Sequence, residues 1–184
     1  MKLAEHKDLK NAITGLPVKE KDKLLLRLIA KDKVLTEHLH YKLLEDEHDL
    51  ESRKENIKAE VEAQISELKR LSVKEALAKV RKIITSVNHF YKVTKDSFGE
   101  VELKIFVLST IPLDYKRSLF GYKDFGFLFA TYYIKTVQVT LNKLAKLHED
   151  LQFDLSDTTN QLLNRIYSSK LAGAAEASDV PKEI

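Results

Sequence analysis

The chain has 184 residues, 43% of them hydrophobic and 32% charged, with a net charge of +3. It contains no cysteine, which excludes disulfides, thiolate metal sites and cysteine nucleophiles. Five glycines and three prolines are too few for a many-turned β-sandwich, so long uninterrupted elements are expected.

In chain order, residues 3–14 predict a short amphipathic helix with Leu9 and Ile13 on one side. Gly15-Leu16-Pro17 is a stop followed by a proline suited to a helix start. Leu24, Leu25, Leu28 and Ile29 then recur at helical spacing. After a polar joint at residues 31–33, Val34, Leu35, Leu39, Leu43 and Leu44 mark a partner helix, giving an αα-hairpin. The next stretch is very polar. Its large apolar residues, Leu50, Ile57, Val61, Ile65, Leu68 and Leu71, form a narrow stripe, as expected of an exposed helix packed on one side, either continuing the previous helix or following a break near residues 47–50.

Ser72 and Glu75 fit a capping box, in which the serine oxygen accepts a backbone N–H and the glutamate reaches back to the serine N–H. Val73, Leu77, Val80, Ile84, Val87 and Tyr91 follow at spacings of three and four, and this helix should end near residues 94–98. Residues 98–112 fit two patterns. Phe98, Val101, Ile105 and Leu108 give a helical face behind a Ser97/Glu100 cap, whereas Val101, Leu103, Ile105 and Val107 alternate as a strand does. Helix is preferred because only residues 133–140 offer a β-like partner. Residues 112–123 form a loop. Asp124 caps a long helix to about residue 150, with Phe127, Ala130, Ile134, Val137, Leu141 and Leu144 on one face and further aromatic residues on others. A last helix opens at Asp154 or Ser156 and stops near Gly173. The expected fold is an all-α single domain of about seven helices over 1–172, an irregular bundle or short solenoid-like array with helix 124–150 at its centre. Residues 173–184 form a disordered tail.

Three features are candidates for function. Seven of the fifteen aromatic residues fall between Phe120 and Tyr133. Burial of such rings favours a core role for most of them, while Tyr115, Phe120 and Tyr122, interleaved with Lys116, Arg117 and Lys123, form the more exposed part. Residues 69–95 hold eight basic residues against one acid, a local charge of +7, so the rest of the chain sums to −4. Lys74, Lys79, Arg81 and Lys82, with Lys116, Arg117 and Lys123 from the loop, are therefore the candidate polyanion-binding residues. Finally, Glu37/His40 and Glu45/His48 repeat the Glu-x-x-His spacing of helical dimetal sites. On one continuous helix the two pairs would stand about 12 Å apart and could not share one metal pair.

Glycine-rich phosphate loops, His-Glu-x-x-His and Gly-x-Ser-x-Gly are all missing from the sequence. The opening "MKLAEHKDLK" is charged where a secretory leader is apolar, and no run approaches the roughly 20 apolar residues of a membrane span. The expectation is a cytoplasmic, non-catalytic helical interaction or scaffold protein without cofactor, holding a protein partner on an exposed face or groove. A nucleic-acid or polyanion binder using the 69–95 face and the 115–123 loop is the first alternative. A small metal-binding or enzymatic bundle is the second.

Overall fold

In the computed structural model, residues 5–115, 119–120 and 123–184 are described, excluding the side chains of residues 66, 119, 120 and 123. The chain is all-α, and its described residues form nine helices. Backbone contacts divide it into two units, Met1–Leu44 and Glu45–Ile184.

The first unit contains α1 (Lys7–Gly15), α2 (Val18–Ile29) and α3 (Lys33–Leu44). Leu16 and Pro17 leave the helical conformation, and Pro17 immediately precedes α2, as the Gly-Leu-Pro signal predicts. Asp32 accepts the Leu35 amide at 3.0 Å and so starts α3. α2 and α3 pack as the expected hairpin.

The second unit holds α4 (Glu47–Leu68), α5 (Val73–Thr94), α6 (Ser97–Thr110), α7 (Phe125–Leu144), α8 (Glu149–Tyr167) and α9 (Ala172–Glu176). A two-residue antiparallel pair, β1 (Leu119–Phe120) with β2 (Lys123–Asp124), leads into α7. The break before α4 falls at Asp46, whose carboxylate accepts the His48 and Asp49 amides while Asp49 returns to the Asp46 amide. All six apolar residues of the sparse α4 stripe join the core, with Val61 and Leu68 fully buried. The capping box of Ser72 and Glu75 opens α5, which ends at Thr94 with Lys95 in the left-handed conformation.

Residues 98–110 are helical, not strand, and so are residues 133–140; Ile111 is extended and ends the helix. The cap of α6 is Asp96, accepting from the Gly99 amide, not the Ser97/Glu100 box expected from spacing. Gly99 leaves room for this cap, because a Cβ would stand 2.2 Å from Asp96 Oδ2 and 3.1 Å from the Phe90 ring and the Asp96 carboxylate would have to move. α6 packs against α4, α5, α7 and α8; its buried residues span about two thirds of its circumference, and Phe98, Glu102, Phe106 and Ser109 on the remaining side are half-buried. It is the central element. α7, expected in that place, buries one broad face (Phe129, Tyr133, Ile134, Val137, Thr140, Leu144) and leaves Phe127 68% exposed.

Two further expectations are corrected. The long helix stops at Leu144 and α8 starts at Glu149, with His148 as cap, because the turn at residues 145–148 interrupts the amphipathic pattern. Residues 173–184 are also a packed segment, not a disordered tail. α9 and Val180 close on the core; Ala175 and Val180 are buried; the Tyr167 hydroxyl donates to the Val180 carbonyl and Gln138 to the Ser178 carbonyl. Small side chains and main-chain bonds anchor this segment, which a search for large apolar residues overlooks.

The C-terminal end of α6 is closed from outside. Arg165 of α8 donates to the carbonyls of Leu108 at 2.9 Å and Ile111 at 2.5 Å, and the Tyr133 hydroxyl donates to Leu108 at 2.6 Å. These bonds satisfy carbonyls that a helix end leaves without intrahelical partners. Among the described residues no helix is long and apolar enough to cross a membrane.

Candidate functional site

The N-terminal unit gives the clearest surface feature. α2 reads Val-Lys-Glu-Lys-Asp-Lys-Leu-Leu-Leu-Arg-Leu-Ile, with its apolar residues on one side of the axis and Lys19, Lys23 and Arg27 in a row beside them. Such a helix should lay its leucines into a core. None of the residues of α1, α2 or α3 is buried, however. Eight large aliphatic side chains between Leu9 and Leu44 are 39–73% exposed, including Val18, Leu25, Leu26 and Leu28 on α2. Of these, Leu25, Leu28, Leu35, Leu43 and Leu44 stand at the spacing expected for the inside of a hairpin. Two short helices bury only the facing edge of each stripe, so the remaining leucines stay in water.

The body carries two charged clusters around α6. Glu102 accepts from Lys54 Nζ at 3.1 Å and Lys58 Nζ at 3.0 Å, and these lysines also reach Glu51 (2.7 Å) and Glu55 (3.2 Å). Burial opposes charge on Glu102, but the hydrogen bonds from Lys58 and Lys54 outweigh it and hold its carboxyl below the usual range. For Lys54 and Lys58 burial again opposes charge, and the glutamate hydrogen bonds prevail and raise both. The second cluster is deeper. Glu100, 2% exposed, accepts from Lys104 at 2.7 Å and Lys143 at 2.5 Å, and the Lys143 ammonium lies 4.7 Å from the centre of the Tyr91 ring. Desolvation dominates at Lys104 and lowers its pKa in spite of Glu100. Its i, i+4 spacing from Glu100 was visible in the sequence; the link from Lys54 to Glu102, forty-eight residues away, had no sequence signal.

Several clefts indent the body, three of which bear on the candidate residues. One of about 490 Å³ lies between α4, α6 and α8, with Phe98 and Phe106 in its lining and Lys54, Lys58 and Glu102 along one wall. Another, of about 500 Å³, follows the α4–α5 seam over Ile57, Phe90 and Val93. A third, of about 530 Å³, is lined by Tyr115, Phe127 and Phe129. The Tyr115 hydroxyl is buried there without a hydrogen-bond partner among the described residues, and loss of water pushes its pKa up to about 12 against the opposing effect of Arg165. Tyr115, expected on the exposed loop, instead packs edge-on against Phe129 at 4.8 Å.

The aromatic run divides as expected for its core part. Phe129 and Tyr133 are buried, and Phe125 and Tyr132 pack against the core. Of the polyanion candidates, Lys74 lies over Phe125 at 5.6 Å, Arg81 over Tyr132 at 5.2 Å, and Lys79 pairs with Glu67. Lys82 is exposed on the outer face of α5. Lys116 and Arg117, and the side chain of Lys123, lie outside the described residues, as do the side chains of Phe120 and Tyr122. Glu37 and His40 stand on α3, while Glu45 and His48 belong to the second unit, where Arg53 grips Glu45 through two 2.6 Å bonds. Among the described residues no three His, Asp or Glu side chains converge as a metal-ligand set.

No protein-family model matches the chain, and no curated protein and no solved structure is similar to it.

Proposed function

We propose that the protein is a non-catalytic helical interaction protein of the cytoplasm, in which Glu45–Ile184 is a stable body and Met1–Leu44 presents apolar helix faces to another protein. One observation supports this above the others: an αα-hairpin with leucines at core spacing has no buried residue among those described. Exposed aliphatic surface of this kind is a mark of protein contact sites. Helices of nine to twelve residues are also marginal in water without packing. A partner that covers the leucines supplies that packing.

The polyanion alternative has less support. Three of its four described cations on α5 are already engaged by a carboxylate or by ring faces. The test is affinity capture with the full chain beside a Leu25→Asp/Leu28→Asp variant. Proteins retained by the wild type and lost from the variant support the reading, provided the variant melts as the wild type does. Identical capture by both, or none by either, contradicts it.

A further inference from the structure

We propose that the segment that docks on α2 is an acidic amphipathic helix of another protein, with leucine-type contacts at its centre and carboxylates along its rim; this rests on the reading of Met1–Leu44 as an interaction surface. The first argument is charge. Residues 1–44 hold ten basic against six acidic residues, a net +4, whereas residues 45–184 sum to −1. The excess is ordered. Lys19, Lys23 and Arg27 follow one another at intervals of four, so they form a single row along α2, all exposed. Like charges at this spacing weaken a helix on its own. Among the described residues none of the three reaches a carboxylate. Asp22 and Glu20, three residues from Lys19 and Lys23, offset part of this repulsion, and an anionic partner relieves the rest.

The second argument is the leucines beside that row. Leu26 sits next to Lys19 and Lys23 around the helix, with Val18, Leu25 and Leu28 continuing the apolar side, and all four are more than half exposed. A phosphodiester backbone offers charge but no apolar counterpart to them. A second copy of the same unit offers apolar contact but places +4 against +4. An anionic bilayer offers both, yet α1 and α2 contain no aromatic residue to sit at an interface, and Glu20 and Asp22 face solvent on the same helix. An acidic amphipathic helix matches the apolar and the basic strip together, in the helix-on-helix manner that reads residues three and four apart.

The experiment titrates the full chain with two designed peptides. One carries leucine at i, i+3, i+4 and i+7 with glutamate elsewhere; the other has lysine in place of each glutamate. The expected result is that the glutamate peptide binds at least about tenfold more tightly than the lysine peptide, and that Lys19→Glu/Lys23→Glu/Arg27→Glu and Leu25→Ala/Leu28→Ala each remove about tenfold of that affinity. Binding should also weaken as salt rises. All substituted positions are exposed, and an unchanged thermal transition verifies the fold of each variant. Equal binding of the two peptides, indifference to charge reversal, or no binding at low salt overturns the inference. So does adsorption to phosphatidylserine vesicles, or dimerisation through Leu25 and Leu28, without peptide binding. If the glutamate peptide fails while Leu25→Asp/Leu28→Asp still abolishes capture of protein partners, the acidic chemistry falls and the interaction reading stands. If both fail, both fall.

Discussion

Glu100 is the residue on which the interior most visibly depends. A carboxylate 2% exposed is tolerated only because two ammonium groups hydrogen-bond to it. Glu100→Gln leaves the Lys104 ammonium buried without its counter-charge, and a loss of about 3 kcal/mol in urea unfolding is expected. Glu100→Gln/Lys104→Met removes both buried charges and should recover most of that loss, which a double-mutant cycle measures. Glu102 gives a pH signature. Its folded pKa lies below the unfolded value, so its contribution is complete above the usual carboxylate range and is lost as pH falls through the folded pKa. Lys54 and Lys58 are shifted upward, so their contribution is complete below the usual lysine range and is lost as pH rises through the folded values. The stability gap between wild type and Glu102→Gln should therefore be a plateau near neutrality that narrows at the acid end. Urea midpoints measured from neutral to strongly acidic pH test this; a gap constant into strong acid contradicts it.

At the scale of elements, α6 is held at both ends by side chains from elsewhere or just outside it. Asp96 closes its N-terminus and Arg165 its C-terminus. Arg165→Leu keeps the aliphatic contact but leaves the Ile111 carbonyl unpaired, with an expected cost of about 2 kcal/mol in thermal or urea unfolding. Arg165→Lys should restore only part of it, because an ammonium lacks the planar fork that spans two carbonyls. Much at this scale was legible in the sequence. The Ser72/Glu75 box, the stop at residues 15–17, the α5 stripe and the Asp124 cap are local signals, and each stands where spacing put it. The misreadings share one cause. The aromatic residues of α7 lie on several sides, which by spacing alone puts it at the centre, yet Phe127 is 68% exposed. α6 fits two patterns because none of its residues from 98 to 110 is fully exposed, so no solvent face marks its period. Burial on every side depends on which helices surround an element, and that is a property of tertiary packing.

For the whole molecule, one hydrophobic core lies within Glu45–Ile184, and Met1–Leu44 contributes no buried residue to it. The candidate surface was half legible. The leucines of α2 and their spacing were plain in the sequence, but their exposure was not, since the pattern of an unpartnered amphipathic helix is the same as that of a packed one. The basic row of Lys19, Lys23 and Arg27 carries a lower charge density than residues 69–95, where several cations are matched by Glu67 or by ring faces. Cooperative stability should follow the core, with local opening wherever few apolar groups are buried. Amide hydrogen exchange of the full chain in the absence of partners measures this directly. The account predicts that the amides of α5 and α6 exchange only through global unfolding, while those of α1, α2 and α3 exchange orders of magnitude faster. Protection of the α2 amides equal to that of α6 would contradict it.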